Sequence, residues 1–333
     1  MLPKFSYVRP STLREAVTQL QTDDAAVHAG GTDLLGCLRD GIMQSRKIVS
    51  LGNLRELAGI RETPGGGLRI GALTTITEVA ENPLVREKYP GLSRGAAEVA
   101  SPQLRNQGTL GGNLCQKPRC WYYRGEFHCL RKGGDHCYAL KGENQFHGIF
   151  GHDNICVITH PSDTAPVLSA LGAEVQVVGP QGGRTVPVAD LHVLPHIDAR
   201  AETVLKQEEI ITHIDIPAPA PGLYTSYRKI RARRAWDFAL AGAALAFDMD
   251  GDRVVNAAIV LSGAAPVPWR SREAEQELTG KILSAETINK AAQAAMAGAE
   301  PLRENGYKVA MFRGMLEEEL YRVIGLTSWD AMT

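Results

Sequence analysis

Residues 28–35 read HAGGTDLL, and this stretch decides how the first part of the chain folds. The AAVH run before the glycines is short and apolar like a buried strand, and TDLLGCLRDG after them has helical spacing. Gly30 and Gly31 let the backbone turn with positive φ and approach another molecule closely. Successive N–H groups in such a turn face an anion. The stretch therefore predicts a phosphate-binding turn, although a single paired-glycine turn is also typical of an ordinary connection.

A second stretch, GTLGGNL at 108–114, repeats this pattern. Thr32 and Thr109 add a hydroxyl donor to each loop. Neither stretch is a G-x-G-x-x-G fingerprint or a P-loop. Two such turns in one chain predict a clamp for a diphosphate, and we expect a bulky side chain at Gly31 or Gly111 to clash with that diphosphate.

The composition is that of an ordinary soluble globular protein. The chain has 333 residues, a length that is enough for two or three domains. Its net charge is −1, and 44% of its residues are apolar and 22% charged. No strong overall charge favours nucleic acid or an anionic membrane, and no apolar run is long enough for a membrane span. The first residues lack a signal-peptide pattern, so we expect a cytoplasmic protein.

Regular elements are predicted on both sides of an irregular segment. Helices are predicted in TLREAVTQLQT, TDLLGCLRDG, TEVAENPLV, SDTAPVLSALG, SREAEQELTG, SAETINKAAQAAMAGA and YKVAMFRGMLEEELYRVIG. Strands are predicted in AAVHAGG, KIVSLGNL, GLRIGALTTI, EEIITHIDI, YTSYRKIRAR and the two halves of LAGAALAFDMDGDRVVNAAIVLSGAA, with a hairpin around Gly182-Gly183. Capping boxes are predicted at Thr12/Glu15 and Thr75/Glu78. A Pro-rich joint predicts the main domain boundary near 220.

The irregular segment, 115–156, holds five of the six cysteines. Their spacing is Cys115-x4-Cys120-x8-Cys129-x7-Cys137-x18-Cys156, without the close pairs of most structural zinc sites. Long gaps suit a loop wrapped around a [4Fe–4S] cluster, in which each thiolate binds one iron. From the residues alone, a zinc site, free thiols and disulfides remain as alternatives to the cluster. The sixth, Cys37, fits a small core residue.

The residues around these cysteines also suit a cluster. Basic side chains would offset the negative charge of four thiolates: Lys117, Arg119, Arg124, Arg131 and Lys132. Aromatic side chains would exclude water: Trp121, Tyr122, Tyr123 and Phe127. His128 and His136 directly precede cysteines and could compete with them as ligands.

Together, AGGTDLL, LRNQGTLGGN, THPSDTAPVL and YRKIRARRAWDFALAGAALAF resemble the FAD-binding subunit of the molybdenum hydroxylases. That family includes xanthine dehydrogenases, aldehyde oxidases, carbon monoxide dehydrogenase and 4-hydroxybenzoyl-CoA reductase. The resemblance implies an α+β fold: a two-subdomain FAD-binding domain of the vanillyl-alcohol-oxidase-like (PCMH) type at 1–220, then a C-terminal domain of a small antiparallel sheet with helices at 221–333. The subdomains are expected at about 1–55 and 56–220, with the cysteine-rich insert at 115–156.

The insert resembles that of the bacterial aldehyde oxidoreductase branch, which carries an extra [4Fe–4S] cluster. That resemblance places the ligands at Cys120, Cys129, Cys137 and Cys156, with Cys115 spare. The 4-hydroxybenzoyl-CoA reductase branch differs in two of these gaps. We expect the cluster to be structural, because both ends of the insert adjoin flavin-contacting segments while its middle bulges outward near partner subunits.

The same resemblance implies the flavin contacts. They are Ala26, Val27, His28, Ala29, Gly30, Gly31, Thr32, Asp33 and Leu34 in the first loop, Thr109, Gly111, Gly112 and Asn113 in the second, and Ser162, Asp163 and Lys229 elsewhere. Lys229 fits a solvated strand lysine equally well. Asp237 is a weaker candidate, and Arg231, Arg233 and Arg234 are typical of a solvated or subunit-facing edge.

The implied role is electron transfer in a heteromeric aldehyde oxidase or dehydrogenase. A large subunit would hold the molybdenum cofactor, a small subunit would hold two [2Fe–2S] clusters, and FAD here would pass electrons to an external acceptor. No catalytic residues are expected in this chain. The alternatives are another molybdenum hydroxylase, such as a 4-hydroxybenzoyl-CoA reductase, and a non-redox binding module held by zinc. A small subunit with an export signal would carry the folded complex to the periplasm.

Overall fold

Three β-sheets organise residues 1–326, the part of the chain that the computed structural model describes. The first sheet is parallel, in the order β1-β3-β2. Its elements are β1 (Ser6–Val8), α1 (Leu13–Leu20), β2 (Ala25–His28), α2 (Leu34–Arg39) and β3 (Lys47–Ser50). Apolar residues at helical spacing on α1 pack against β3, and Ala16, Val17 and Leu20 are buried there. The first glycine turn thus connects β2 to α2.

The two predicted capping boxes differ in the structure. At α1, Thr12 accepts a hydrogen bond from the Glu15 N–H at 3.1 Å, but the Glu15 carboxylate turns to the N–H of Ser11 at 2.8 Å instead of that of Thr12. The box before residue 76 is complete, because Thr75 and Glu78 each bind the other's backbone N–H. The first prediction is therefore wrong in its second half.

The second sheet is antiparallel, in the order β4-β5-β8-β6-β7. Its strands are β4 (Ile60–Glu62), β5 (Leu68–Gly71), β6 (Glu174–Gly179), β7 (Gly182–Pro187) and β8 (Ile210–Ile216). The helices of this region are α3 (Ile76–Glu81), α4 (Pro83–Lys88), α5 (Pro90–Ala97), α6 (Pro102–Arg105), α7 (Leu110–Leu114), α8 (Trp121–Arg124), α9 (Thr164–Ala170) and α10 (Pro195–Asp198). The predicted hairpin is present, but Gly182 and Gly183 begin β7 and the turn precedes them.

The third sheet is antiparallel, in the order β12-β11-β10-β9. It contains β9 (Leu223–Ile230), β10 (Ala241–Asp250), β11 (Arg253–Ser262) and β12 (Trp269–Arg270), followed by α11 (Arg272–Leu278), α12 (Ala285–Ala294) and α13 (Tyr307–Val323). Strand β10 is buried on both faces: Ala244 and Ala246 face the second sheet's core, while Leu245 and Phe247 face the helices. Burial on both faces explains why this strand is an unbroken apolar run.

The mixed α and β architecture confirms the predicted fold class. The domain boundaries near 55 and 220 stay predictions, and residues 327–333 of the expected C-terminal domain lie outside the described residues. Within residues 1–326, no helix combines the length and the apolarity needed to cross a membrane.

The cysteine-rich insert contains α8 and two 3-10 helices, Leu130–Lys132 and Tyr138–Leu140, in otherwise irregular chain. Its middle does not simply bulge outward, as expected from the sequence. Asn144 and Glu304 exchange two hydrogen bonds of 3.0 Å, and Asn305 donates to the carbonyls of His147 and Gly148. The insert is therefore packed against the segment that leads into α13, because its irregular backbone needs partners there.

Candidate cofactor sites

A cavity of about 880 Å³ lies where the first sheet meets the second and third sheets. Both glycine loops line it, together with residues from the insert and from the strand β9. The predicted flavin contacts that line it are Ala26, Val27, Ala29, Gly30, Gly31, Thr32, Asp33, Leu34, Thr109, Gly111, Gly112, Asn113, Asp163 and Lys229. His28 and Ser162 do not line it. The volume is in the range of large cofactor pockets.

The first glycine loop is shaped by contacts within the protein. Gly31 has a φ of +72°, and a Cβ there would lie 2.6 Å from His28 Nε2. A Cβ on Gly30 would lie 2.0 Å from the carbonyl oxygen of Gln107, so the two loops touch at this point. His28 thus supports the loop from behind. Between residues 30 and 34 no backbone N–H donates to a backbone carbonyl of the described chain, which leaves these donors for a ligand.

The second loop is anchored on the residue that follows β5. The Gly111 N–H donates to the carbonyl of Ala72 at 2.9 Å, and a Cβ on Gly111 would lie 2.9 Å from the Ala72 Cβ. Thr109 caps α7 by accepting from the Gly112 N–H at 3.3 Å. A side chain at Gly31 or Gly111 would therefore collide first with protein atoms. The expected clash with a diphosphate stays a prediction, to which the structure adds these contacts with protein atoms.

Asn113 is oriented by two hydroxyl groups behind it. Ser162 Oγ and Thr164 Oγ1 both donate to Asn113 Oδ1, at 2.5 and 2.7 Å. Ser162 is only 1% exposed, so it orients Asn113 instead of facing the cavity. With the amide oxygen occupied, the Asn113 amide nitrogen remains as the donor on the cavity side.

Lys229 is a buried lysine that reaches the cavity wall from β9. Its side chain is 1% exposed, and Nζ donates to Asp163 Oδ2 at 2.8 Å and to the carbonyl of Glu98 at 3.2 Å. Tyr227 donates to the other Asp163 oxygen at 2.7 Å. Burial raises the pKa of Asp163, and Lys229 opposes that shift. The interpretation of Lys229 as a solvated strand residue is wrong, because the ion pair is enclosed by protein.

The segment after β9 forms another part of the cavity wall. Arg233, Trp236, Asp237 and Phe238 line it, whereas Arg231 pairs with Glu98 at 2.7 Å. Arg233 is one of the three arginines that the sequence assigned to a solvated or subunit-facing edge, and its side chain is largely exposed although it lines the cavity. Of the four cavity residues, only Asp237 was a candidate flavin contact from the sequence, since long-range packing is what brings this segment to the glycine loops.

Four of the six cysteines line a second, small cavity inside the insert. They are Cys120, Cys129, Cys137 and Cys156. Cys115 instead lines the larger cavity, where burial raises the pKa of its thiol to about 12. Cys37 is buried beside Arg124, whose Nη1 lies 3.0 Å from its sulfur. All six cysteines are free thiols, so disulfides do not hold the insert.

The four thiols share one small cavity, and the donor set can be compared with what a metal would require. Within residues 1–326, no three His, Cys, Asp or Glu side chains approach closely enough to share one metal ion. In a [4Fe–4S] cluster each sulfur binds a different iron, so the ligands stand further apart around one centre. The hydrogen bond between Cys156 and Cys137 lowers the pKa of the Cys137 thiol and raises that of Cys156, and burial raises the pKa of Cys120. The donor set therefore fits an iron–sulfur cluster.

The basic residues of the insert are largely paired with carboxylates. Arg119 and Arg124 each lie 2.9 Å from Asp33 Oδ1. Arg131 Nη2 lies 2.8 Å from Glu202, which also pairs with Lys117. Arg131 nevertheless opposes the rise in the pKa of the Cys156 thiol, as expected of a charge that offsets a thiolate; for the other basic side chains this role stays a prediction. The pairing with carboxylates also attaches the insert to the first glycine loop and to residues 199–202.

The histidine beside the thiols is His147, which the sequence did not single out. Its Nε2 lies 3.2 Å from Cys120 Sγ, and it lines the cysteine cavity. Burial lowers its pKa to about 4, so the ring is neutral at pH 7. His128 and His136 are exposed and do not line this cavity. Their position next to cysteines in the sequence was therefore a misleading signal.

Two family models match the chain. The FAD binding domain in molybdopterin dehydrogenase matches residues 3–219, and the CO dehydrogenase flavoprotein C-terminal domain matches residues 225–324. The aldehyde oxidoreductase FAD-binding subunit PaoB of Escherichia coli (strain K12) is 35% identical over 321 residues, which cover 95% of this chain and 97% of the relative. The carbon monoxide dehydrogenase medium chain of Hydrogenophaga pseudoflava is 30% identical over 325 residues, 96% of each chain.

Solved structures show the same architecture. Carbon monoxide dehydrogenase from Hydrogenophaga pseudoflava superimposes with a TM-score of 0.75 at 29% identity, over 95% of this chain and 96% of the other. Quinoline 2-oxidoreductase from Pseudomonas putida 86 superimposes with a TM-score of 0.74 at 27% identity, over the full length of both chains. Fold and cavity thus define a flavoprotein subunit of an oxidoreductase. The chain belongs to the molybdopterin dehydrogenase family, as an FAD-binding subunit.

Proposed function

We propose that this chain is the FAD- and [4Fe–4S]-containing electron-transfer subunit of a heteromeric molybdenum-dependent aldehyde oxidase or dehydrogenase. The observation that carries the proposal is the pair of neighbouring cavities. One is lined by both glycine loops, and the other is lined by four cysteines of an insert that contacts the first loop. The identity to an aldehyde oxidoreductase FAD-binding subunit supports the aldehyde class.

The larger cavity supports the FAD site by its donors. The backbone N–H groups of residues 30–34 and the amide of Asn113 would bind the pyrophosphate. Lys229, held by Asp163, places a positive charge in the wall of the same cavity. Bound FAD supplies chemistry that accepts and donates one or two electrons, while the protein residues hold and orient it.

The smaller cavity supports the cluster. Cys120, Cys129, Cys137 and Cys156 would be its ligands, and Cys115 and Cys37 would stay free. The pairing of Asp33 with the insert supports a structural role, because an ordered insert fixes the first glycine loop. The aromatic side chains Trp121, Tyr122 and Tyr138 form a contiguous group next to the thiols and limit the access of water.

The proposed partners are a large subunit with the molybdenum cofactor, a small subunit with two [2Fe–2S] clusters, and an external electron acceptor. Relatives that are named medium chains or FAD-binding subunits support this assignment. The alternative is the same subunit role in another molybdenum hydroxylase or in a 4-hydroxybenzoyl-CoA reductase, in which electrons would pass toward the large subunit because its substrate is reduced. We place the complex in the cytoplasm, with export alongside a signal-bearing small subunit as the alternative.

Anaerobic mixing of the purified complex with an aldehyde tests the role. We expect bleaching of the flavin absorbance in the complex and neither bleaching nor turnover with this chain alone. Aldehyde oxidation by the isolated chain, or a flavin that stays oxidised in a complex that consumes aldehyde, would refute the proposal. Reoxidation of a chemically reduced flavin by a 4-hydroxyaroyl-CoA thioester, without bleaching by aldehydes, would move the assignment to the reductase class.

A further inference from the structure

His147 holds a fixed position beside one of the four cavity thiols. Its ring contacts Trp121 edge-on, with centroids 5.6 Å apart, and its Nε2 lies 3.2 Å from Cys120 Sγ. The residue is 3% exposed. The contact is therefore sheltered from water, in which an N–H···S hydrogen bond would compete with solvent.

The partners of the two ring nitrogens determine which of them donates. Nδ1 has no partner in the described part of the chain, so the ring makes its polar contact through Nε2. A cysteine that binds iron has lost its proton, so its sulfur can only accept. The imidazole can therefore fill this contact only by donating from Nε2–H.

The C-terminal domain holds the histidine backbone in place. Asn305, which is completely buried, donates to the carbonyls of His147 and Gly148 at 3.1 and 3.0 Å. The His147 N–H donates to the carbonyl of Asn144, which is itself bonded to Glu304. The orientation of the ring thus depends on a segment more than 150 residues further along the chain.

We propose that His147 is a positioning residue that donates its Nε2–H to the sulfur of Cys120 and thereby raises the reduction potential of the cluster. This inference rests on the proposed cluster. Reduction adds negative charge to the cluster, and a hydrogen bond to a ligand sulfur stabilises the more negative state. His147 therefore makes reduction of the cluster easier without binding iron itself.

Three variants of the full-length chain test this role. His147→Leu removes the donor and keeps an apolar side chain of similar bulk, and His147→Gln places an amide N–H at a comparable distance from the backbone. His136→Leu is the matched control, because His136 precedes a ligand but is exposed. Iron content is measured first, and the midpoint potential is then measured by EPR-monitored redox titration.

We expect full iron in all three variants, a lower midpoint potential in His147→Leu, and potentials close to wild type in His147→Gln and His136→Leu. An unchanged potential in His147→Leu with full iron would overturn the inference. Loss of iron in both His147→Leu and His147→Gln would also overturn it, because His147 would then be needed to hold the cluster. Wild-type protein without iron would instead refute the proposed cluster.

Discussion

Asp33 Oδ1 accepts a hydrogen bond from Arg124 Nη2 at 2.9 Å, and this contact joins the first glycine loop to the cysteine-rich insert. Both side chains are less than one fifth exposed. Arg119 and the N–H of Lys117 approach the same carboxylate, at 2.9 and 2.8 Å. A carboxylate beside a diphosphate site would repel the ligand, so its partners in the insert also neutralise it.

The Asp33–Arg124 contact predicts a coupling between stability and FAD binding. Arg124→Met and Asp33→Asn should each weaken FAD binding, because the first loop loses its attachment to the insert. A double-mutant cycle on the free energy of unfolding should give a coupling of about 1.5–3 kcal/mol, as for hydrogen bonds to charged groups. The exposed pair Glu286 and Lys290 is the control and should couple far more weakly. Additive effects at Asp33 and Arg124 would contradict the prediction.

Gly30→Ala should separate the two glycine loops. The new Cβ would lie 2.0 Å from the Gln107 carbonyl oxygen, so the backbone must move, at a cost of about 1–3 kcal/mol. We expect the dissociation constant for FAD to rise by about tenfold or more. Gly52→Ala is the control, because its Cβ would have no neighbour closer than Ser50 Oγ at 3.5 Å. Equal FAD affinity in the two variants, measured by fluorescence titration, would show that the loop contact is unimportant.

Serine replacements should separate the four cavity cysteines from the other two. Ser at Cys120, Cys129, Cys137 or Cys156 should lower iron to well below four atoms per chain, because each removes one ligand from the cavity. Cys115→Ser, at the flavin cavity, should keep its iron. We expect the ligand variants also to assemble poorly or lose FAD. A Cys129→Ser complex that assembles, keeps FAD and loses only the rate of flavin reduction would make the cluster an electron relay.

Two buried histidines predict loss of stability in acid. The rings of His160 and His192 lie 4.0 Å apart between centroids. Burial lowers the pKa of His192 from 6.5 to about 4 and that of His160 well below 6.5. Between pH 6.5 and pH 4 the unfolded chain therefore binds more protons than the folded chain. The free energy of unfolding decreases as the pH falls through this range.

His192→Gln measures this effect by removing the ring that gains a proton. The glutamine amide can still donate to the carbonyl of Leu114, which His192 Nε2 contacts at 2.9 Å in the wild type. Between pH 7 and pH 5 the wild type should lose about 2 kcal/mol more than the variant in urea unfolding. Replacing the exposed His128 by Gln serves as the control and should leave the pH dependence unchanged. An equal loss in wild type and His192→Gln would contradict the assigned pKa shift.

Local patterns predicted much of the fold and part of each site. The glycine turns and the strand–helix alternation depend on neighbours in the chain, so β2, α2, β3 and the turn between β2 and α2 followed from them. The parallel pairing of the first sheet did not. The partners of Asp33 did not, because Lys117 and Arg124 are 84 and 91 residues away. The burial of Lys229 and the place of His147 depend in the same way on packing between distant segments.

The cofactor content of the purified full-length chain tests the central claim most directly. FAD, iron and zinc are measured per chain in the same sample, alongside the absorbance spectrum. We predict about one FAD and about four irons, negligible zinc, and flavin bands on a broad iron–sulfur absorption. A colourless protein with zinc in place of iron and without flavin would contradict both proposed sites.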